Sequence, residues 1–438
     1  MMPIVVGFLD SIVTKHFATM SLQGIAVGMN EAGLNQCSGT LFKIAPLLFS
    51  GSQPTSYGIT ANWNVATPPV FNLAAAPAAL PHLLSALNKA VENLPDEVQF
   101  DVRQAAEDTP SFNVLLSPVN IVFQDDQSGV ETPMSIDVTI YCVAEVMDGK
   151  IQLSPIKAVK APISDAITNT IVDKILLPRL INMIAAIFQG LSIPPISVVG
   201  VPMGNPNIVI QNRKLIAFTA PIGIPASISS DMTFPDNQFF ILMDNSFLQA
   251  ITNINIGSGK TVSGSGSVGI SAGGADYTYS ITVANPSIAI KGTGMNIDFN
   301  LTGSASAEVK VLWVPIPVGF KASGEPNPSA TASFQVSGNS IKVVIERVSQ
   351  FAPDLSPTGN PLQWIISATL TPIIQTVAAA VVPALTTFIH DIEFTSFDIP
   401  QFNIHSGGVN LTINPSKLNA MNWQGHLGFT GVLIPQTS

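Results

Sequence analysis

Residues 176–184 read LLPRLINMI, and residues 381–389 read VVPALTTFI. At a single offset (383 − 178 = 205), Leu176 falls on Val381, Leu177 on Val382, Pro178 on Pro383, Leu180 on Leu385 and Ile184 on Ile389. Downstream, Ile193-Pro194 corresponds to Ile399-Pro400, and NIVIQNRKLIAF (207–218) resembles NLTINPSKLNAM (410–421), with Lys214-Leu215 on Lys417-Leu418. Upstream, IAVGMNEAGLNQ (25–36) resembles FFILMDNSFLQA (239–250), with Met29 on Met243 and Leu34 on Leu248 (243 − 29 = 214). Four blocks in one order describe an internal duplication. The 438 residues therefore divide into a first unit (1–220), a proline-containing linker (221–236) and a second unit (237–438), each about the size of an ordinary domain.

Both prolines lie in long apolar stripes. Ile163, Ile167, Ile171, Ile175, Leu180, Ile184, Ile187 and Phe188 keep near-helical spacing, as do Leu362, Ile366, Leu370, Ile374, Val377, Val381, Leu385 and Phe388. The stripes are wide, which predicts two long helices buried over much of their circumference. The runs 180–203 and 355–390 carry no Asp, Glu, Lys or Arg and exceed the roughly 20 residues that span a bilayer. Their prolines and amides make a lipid-facing span costly, so both are predicted to lie inside a soluble protein. Between each opening block and its helix the period changes to two. SIDVTIYCVAEV (135–146), DYTYSITV (276–283), NIDFNLTG (296–303) and AEVKVLWV (307–314) alternate and are separated by Gly-Ser turns. This pattern predicts curved antiparallel sheet. One long helix beside each sheet gives an α+β class.

This arrangement resembles the tubular lipid-binding (TULIP) superfamily, in particular the two-domain branch of bactericidal/permeability-increasing protein. The residues that carry the likeness are Leu177, Pro178, Arg179, Leu180, Ile181 and Asn182, then Gly190, then Ile193-Pro194; the second copy keeps Val382, Pro383, Leu385, Ile399 and Pro400. ILMDNSFLQAI (241–251) resembles the opening of the family's second unit. The resemblance implies two tandem units, each a long helix wrapped by a highly curved antiparallel sheet, elongated overall. It also implies an apolar cavity between helix and sheet that takes acyl chains. The candidate lining is then Ile167, Ile171, Ile175, Leu180, Ile184 and Phe188 in the first unit, and Ile366, Leu370, Ile374, Val377, Val381 and Phe388 in the second. The basic tip with which some members grip lipopolysaccharide is absent.

Composition agrees with a large apolar interior. Hydrophobic residues are 46% and charged residues 11%, against a usual charged share of about 25%. Net charge is −10 with 18 Lys and Arg, and no basic cluster could track a phosphate backbone, which excludes nucleic acid as a partner. The same shortage weakens attraction to anionic membranes and leaves only peripheral membrane contact open. Two cysteines, Cys37 and Cys142, are compatible with one bridge or with two buried thiols. Residues 1–20, MMPIVVGFLDSIVTKHFATM, lack the basic start and long apolar core of a secretory leader, which leaves a cytoplasmic chain, a non-classically exported one, or one whose leader was removed.

Several short motifs are weighed and set aside. Gly264-Ser265-Gly266-Ser267-Val268-Gly269 fits a dinucleotide pattern, but strand residues follow where a helix is needed. Gly259-Lys260-Thr261 resembles the end of a phosphate loop whose first glycine is replaced by Ile254. Gly269-Ile270-Ser271-Ala272-Gly273 fits a nucleophile elbow, again in a strand context. His16, His82, His390, His405 and His426 show no metal spacing, and Asp125-Asp126 reads as a turn. The prediction is therefore a non-enzyme, without metal or cofactor, that binds or transfers lipid or another elongated apolar ligand. The rival is a filled scaffold in an exported or toxin-associated complex.

Overall fold

The computed structural model describes residues 22–75, 110–147, 150–192, 198, 200–270, 273–311, 314–338, 340–358, 371–394, 396–406 and 409–437. Four longer helices organise them: α1 (Glu31–Ile44), α2 (166–190), α3 (Asn245–Ile256) and α4 (Thr371–His390). Each copy opens with the same strand and helix. Ile25–Asn30 leads into α1, and Phe239–Met243 leads into α3. Both helices begin on a side-chain cap. Asn30 Oδ1 accepts the Gly33 N–H at 2.9 Å and Asp244 Oδ1 accepts the Phe247 N–H at 2.9 Å, which satisfies donors that a helix start leaves free. The two caps are equivalent residues, since 244 − 30 = 214.

The two opening strands pair with each other. Ile25 lies opposite Met243, Val27 opposite Ile241 and Met29 opposite Phe239. Val27 and Ile241 are equivalent in the duplication (241 − 27 = 214), so a local two-fold axis passes between them and the contact is self-complementary, as in a symmetric dimer. Around this pair a single eight-stranded sheet runs in the order Asn207–Gln211, Lys214–Thr219, Ile25–Asn30, Phe239–Met243, His426–Thr437, Val409–Trp423, Phe402–Ser406, Leu191–Ser192. Both copies thus contribute to one central sheet.

That sheet corrects one alignment in the duplication. The hairpin around Asn212 and Arg213 (φ +51° and +58°) matches the hairpin around Gln424 and Gly425 (φ +52° and +84°). Leu215 pairs with Met29, and Leu427 pairs with Met243, so Leu215 corresponds to Leu427. Leu418, matched to it by letters, lies at a bulge between Ser416 and Asn419. Alternating strands carry little register information of their own, and the shared Lys-Leu letters misplace the match.

The segment between the copies covers the back of the sheet. Met232 and Phe234 pack with Leu22, Ala26, Ile216, Phe218, Phe240 and Leu242, and the rings of Phe234 and Phe240 stack at 5.5 Å. Ser227–Ile228 pairs with Leu22–Gln23. His426 Nε2 accepts the Leu22 N–H at 3.2 Å while Nδ1 lies 3.1 Å from the Trp423 carbonyl, which places the ring proton on Nδ1.

Each unit adds its own antiparallel sheet. The first runs Ser50–Pro54, Ile59–Val65, Ser111–Asp125, Glu131–Met147, Lys150–Lys160. The second runs Lys260–Ile270, Gly273–Lys291, Gly294–Val311, Ser329–Ser337, Ser340–Val348. Strands first and fifth in that second order both touch α4. Laid flat they would stand about 19 Å apart, so the sheet curls around the helix. The α+β class and the helix-in-sheet units are therefore those predicted.

The long helices differ in detail from expectation. In α2 a π-turn, Val172–Leu176, precedes Pro178, and the Leu177 N–H reaches the Val172 carbonyl. Proline lacks an N–H and its ring crowds the carbonyl four residues back, which a wider turn relieves. In α4 the buried stripe is narrow: Ile373, Val377, Val381, Leu385 and Ile389 are inaccessible, whereas Ala379, Ala380, Pro383 and Ala384 face outward. Among the described residues, α4 alone has the length and composition to cross a membrane; its stripe packs on the sheet.

Candidate ligand cavity

A cavity of about 50 Å³ lies where α1, α2 and the central sheet converge. Leu34, Cys37, Ser38 and Leu41 face it from α1, and Ile184, Ile187 and Phe188 from α2. Met29 and Ile413 form the sheet side, and Phe49, Pro69 and Phe71 close the remainder. Ile413 belongs to the second copy, so the first unit's cavity is completed by the other half of the chain.

The wall is tied together by local contacts. Asn35 clasps the Phe71 backbone, accepting its N–H at 2.6 Å and donating to its carbonyl at 3.2 Å. The Ser38 hydroxyl donates to the Pro69 carbonyl at 2.6 Å, so the polar group of the lining is already paired. Phe188 lies 6.0 Å from Phe71 and 6.2 Å from Phe112, and Phe71 stacks on Phe112 at 6.0 Å, a spacing typical of aromatic clusters. No charged side chain lines the cavity. Burial pushes the Cys37 thiol up to about 12 and raises Cys142 further, so both are neutral thiols. They are unbridged. Such a lining offers dispersion and burial, with no acid, base or nucleophile.

Of the predicted lining, Ile184 and Phe188 reach this cavity. Ile171 and Leu180 are buried in the core and Ile175 is half-buried. Ile167 is 63% exposed in the first turn of α2; its position in the stripe is correct, but the turn starts beyond the edge of the core, so it faces water. Val377 and Val381 are buried and Ile374 and Phe388 half-buried. Ile366 and Leu370 lie outside the described residues, as does Leu362. The α1 contribution was missed. Leu34, Cys37 and Leu41 recur at helical spacing, but only Leu34 falls inside the repeated block (25–36), and three positions are a signal short enough to be passed over beside the longer stripes.

An open groove of about 560 Å³ lies at the edge of the first sheet, between Met134–Thr139 and Val159–Ile163. Its cation, Lys160, has a side chain only 4% exposed and lies 3.1 Å from Asp173. Lys160 also donates to Asn169 Oδ1 at 2.6 Å, and Asn169 donates to Asp173 at 2.9 Å. This triad fastens the start of α2 to the sheet and engages the groove's cation; the groove's carboxylate, Asp137, accepts the Ser117 hydroxyl.

The motifs set aside have structural roles. Gly264 and Gly266 sit in the strand Lys260–Ile270, opposite Tyr279 and Tyr277. A Cβ at either would meet a tyrosine hydroxyl at 2.7 or 2.6 Å, so the glycines admit the rings. Ser271 lies outside the described residues; the strands on either side of it pair at Ile270 and Gly273, which is not the strand–helix setting of a nucleophile elbow. Asp125 accepts the Ser128 N–H and hydroxyl and the Gln127 N–H, which hold its carboxyl below the ordinary range. Among the described residues no three His, Cys, Asp or Glu side chains converge as metal ligands would.

No family model matches the sequence, and no curated protein does. Among solved structures, 94% of the chain is similar to lipopolysaccharide binding protein (12% identity, 99% of that chain, TM-score 0.38). The same share is similar to P47 of Clostridium botulinum E1 (9% identity, 98% of that chain, TM-score 0.45) and to P47 from Clostridium botulinum A2 (10% identity, 97% of that chain, TM-score 0.42).

Proposed function

We propose that this chain binds an elongated apolar molecule, such as a lipid acyl chain, non-covalently and without catalysis, in the first unit's cavity. One observation carries the reading: the cavity is lined by apolar groups from two helices and the central sheet, with its lone hydroxyl paired and its thiol uncharged. Each methylene moved there from water contributes about 0.8 kcal/mol. The cavity as it stands holds only a few waters, so an acyl chain enters by displacing the half-buried Ile187 and the Phe188 ring on α2.

The small volume favours one other reading, a filled scaffold whose surfaces rather than cavities engage partners. Native mass spectrometry of the purified protein, followed by solvent extraction, separates the two. The carrier reading expects a bound apolar species at one or more per chain. A bare polypeptide mass with nothing extractable supports the scaffold.

A further inference from the structure

Outside the cavity, the 3₁₀ turn Pro46–Phe49 presents two faces. Phe49 points inward and lines the cavity, while Leu47, two residues earlier, is 85% exposed. It is the most exposed large apolar side chain among the described residues. Pro46 beside it is exposed, Ile44 and Leu48 are half-buried, and Lys43 is exposed in the last turn of α1. A lone surface leucine means little; this one stands on the wall of an apolar cavity, next to a cation.

The charge distribution adds an independent observation. The chain has 28 Asp and Glu, yet none between Glu31 and Glu92, none between Asp173 and Asp231, and none after Asp398. These three stretches supply every cavity-lining residue except Met29. Glu31 at their border is engaged, 2.6 Å from Arg213 and accepting the Leu73 N–H at 3.0 Å. The stretches of chain that build the cavity thus carry no carboxylate within them.

We infer that the Pro46–Phe49 turn docks this face on a phospholipid bilayer carrying anionic head groups, with Leu47 entering the apolar boundary and Lys43 beside the phosphates. This rests on the proposed apolar-ligand reading, because the bilayer is the source of the chain that passes the turn. The docking sets the cavity wall against the membrane.

Flotation with phosphatidylcholine vesicles containing phosphatidylglycerol tests this. The wild type should float, and Leu47→Asp should weaken binding by about tenfold or more, while Val314→Asp, at a 60% exposed valine on the second unit's sheet, floats like the wild type. A fluorescent fatty acid supplied as a soluble monomer should bind wild type and Leu47→Asp alike, because Leu47 does not line the cavity. Equal flotation of wild type and Leu47→Asp, or a wild type that does not float, overturns the docking. Failure to bind the monomer with flotation intact overturns the cavity reading and leaves the docking standing.

Discussion

Cys37 reports the state of the cavity. Burial holds its thiol protonated up to about 12, against an ordinary 9.0, so native protein at neutral pH should react with a thiol reagent only on unfolding. The folded chain keeps a proton that the unfolded chain releases. The resulting stabilisation is full below pH 9 and is lost as pH rises from 9 toward 12; Cys37→Ala should show a shallower loss there, read by thermal melts. Ile184→Ala, at a fully buried lining position, should cost about 2–4 kcal/mol in denaturant unfolding and enlarge the cavity. Gly266→Ala should cost about 1–3 kcal/mol, because its Cβ would meet the Tyr277 hydroxyl at 2.6 Å. At this scale the sequence was half informative. The stripe of α2 named Ile184 and Phe188 because a long helix repeats its signal over many turns. The single turns of α1 and the lone Phe49, Phe71 and Ile413 repeat nothing, and they reach the cavity only through tertiary packing.

Among elements, the matched prolines were legible because each has a local cause; the caps lie in the matched opening blocks but were not read as caps. Pro178 sets a π-turn, and Asn30 and Asp244 start equivalent helices. Asn30→Ala and Asp244→Ala should each cost about 1 kcal/mol, with the two losses adding when combined; chemical denaturation of both single variants and the double variant checks this. The position of the hairpins was not legible. A period of two says which side of a strand faces inward, but not which strand lies beside it, so Lys417-Leu418 and Lys214-Leu215 were matched across a bulge. The width of α4's buried face was also overestimated: Ile374 and Phe388 of its stripe are only half-buried, and Ala379, Ala380 and Ala384 between its members face water.

In the whole molecule, the duplication reads as two halves, and the chain folds them through one sheet. Val27 against Ile241 and Ile413 in the first unit's cavity tie the halves together. Calorimetry should therefore show one cooperative transition, and Ile241→Asp, burying an unpaired charge at the local axis, should abolish it rather than leave one half intact. The central claim is that the cavity between α1 and α2 takes an apolar chain. Its most direct test is titration of a fluorescent fatty acid into wild type and Cys37→Phe, with the melting transition followed in parallel. The account predicts saturable binding by the wild type and at least about a tenfold loss in a Cys37→Phe protein that still melts cooperatively. Equal affinity in the two proteins, or no binding by the wild type, would contradict it.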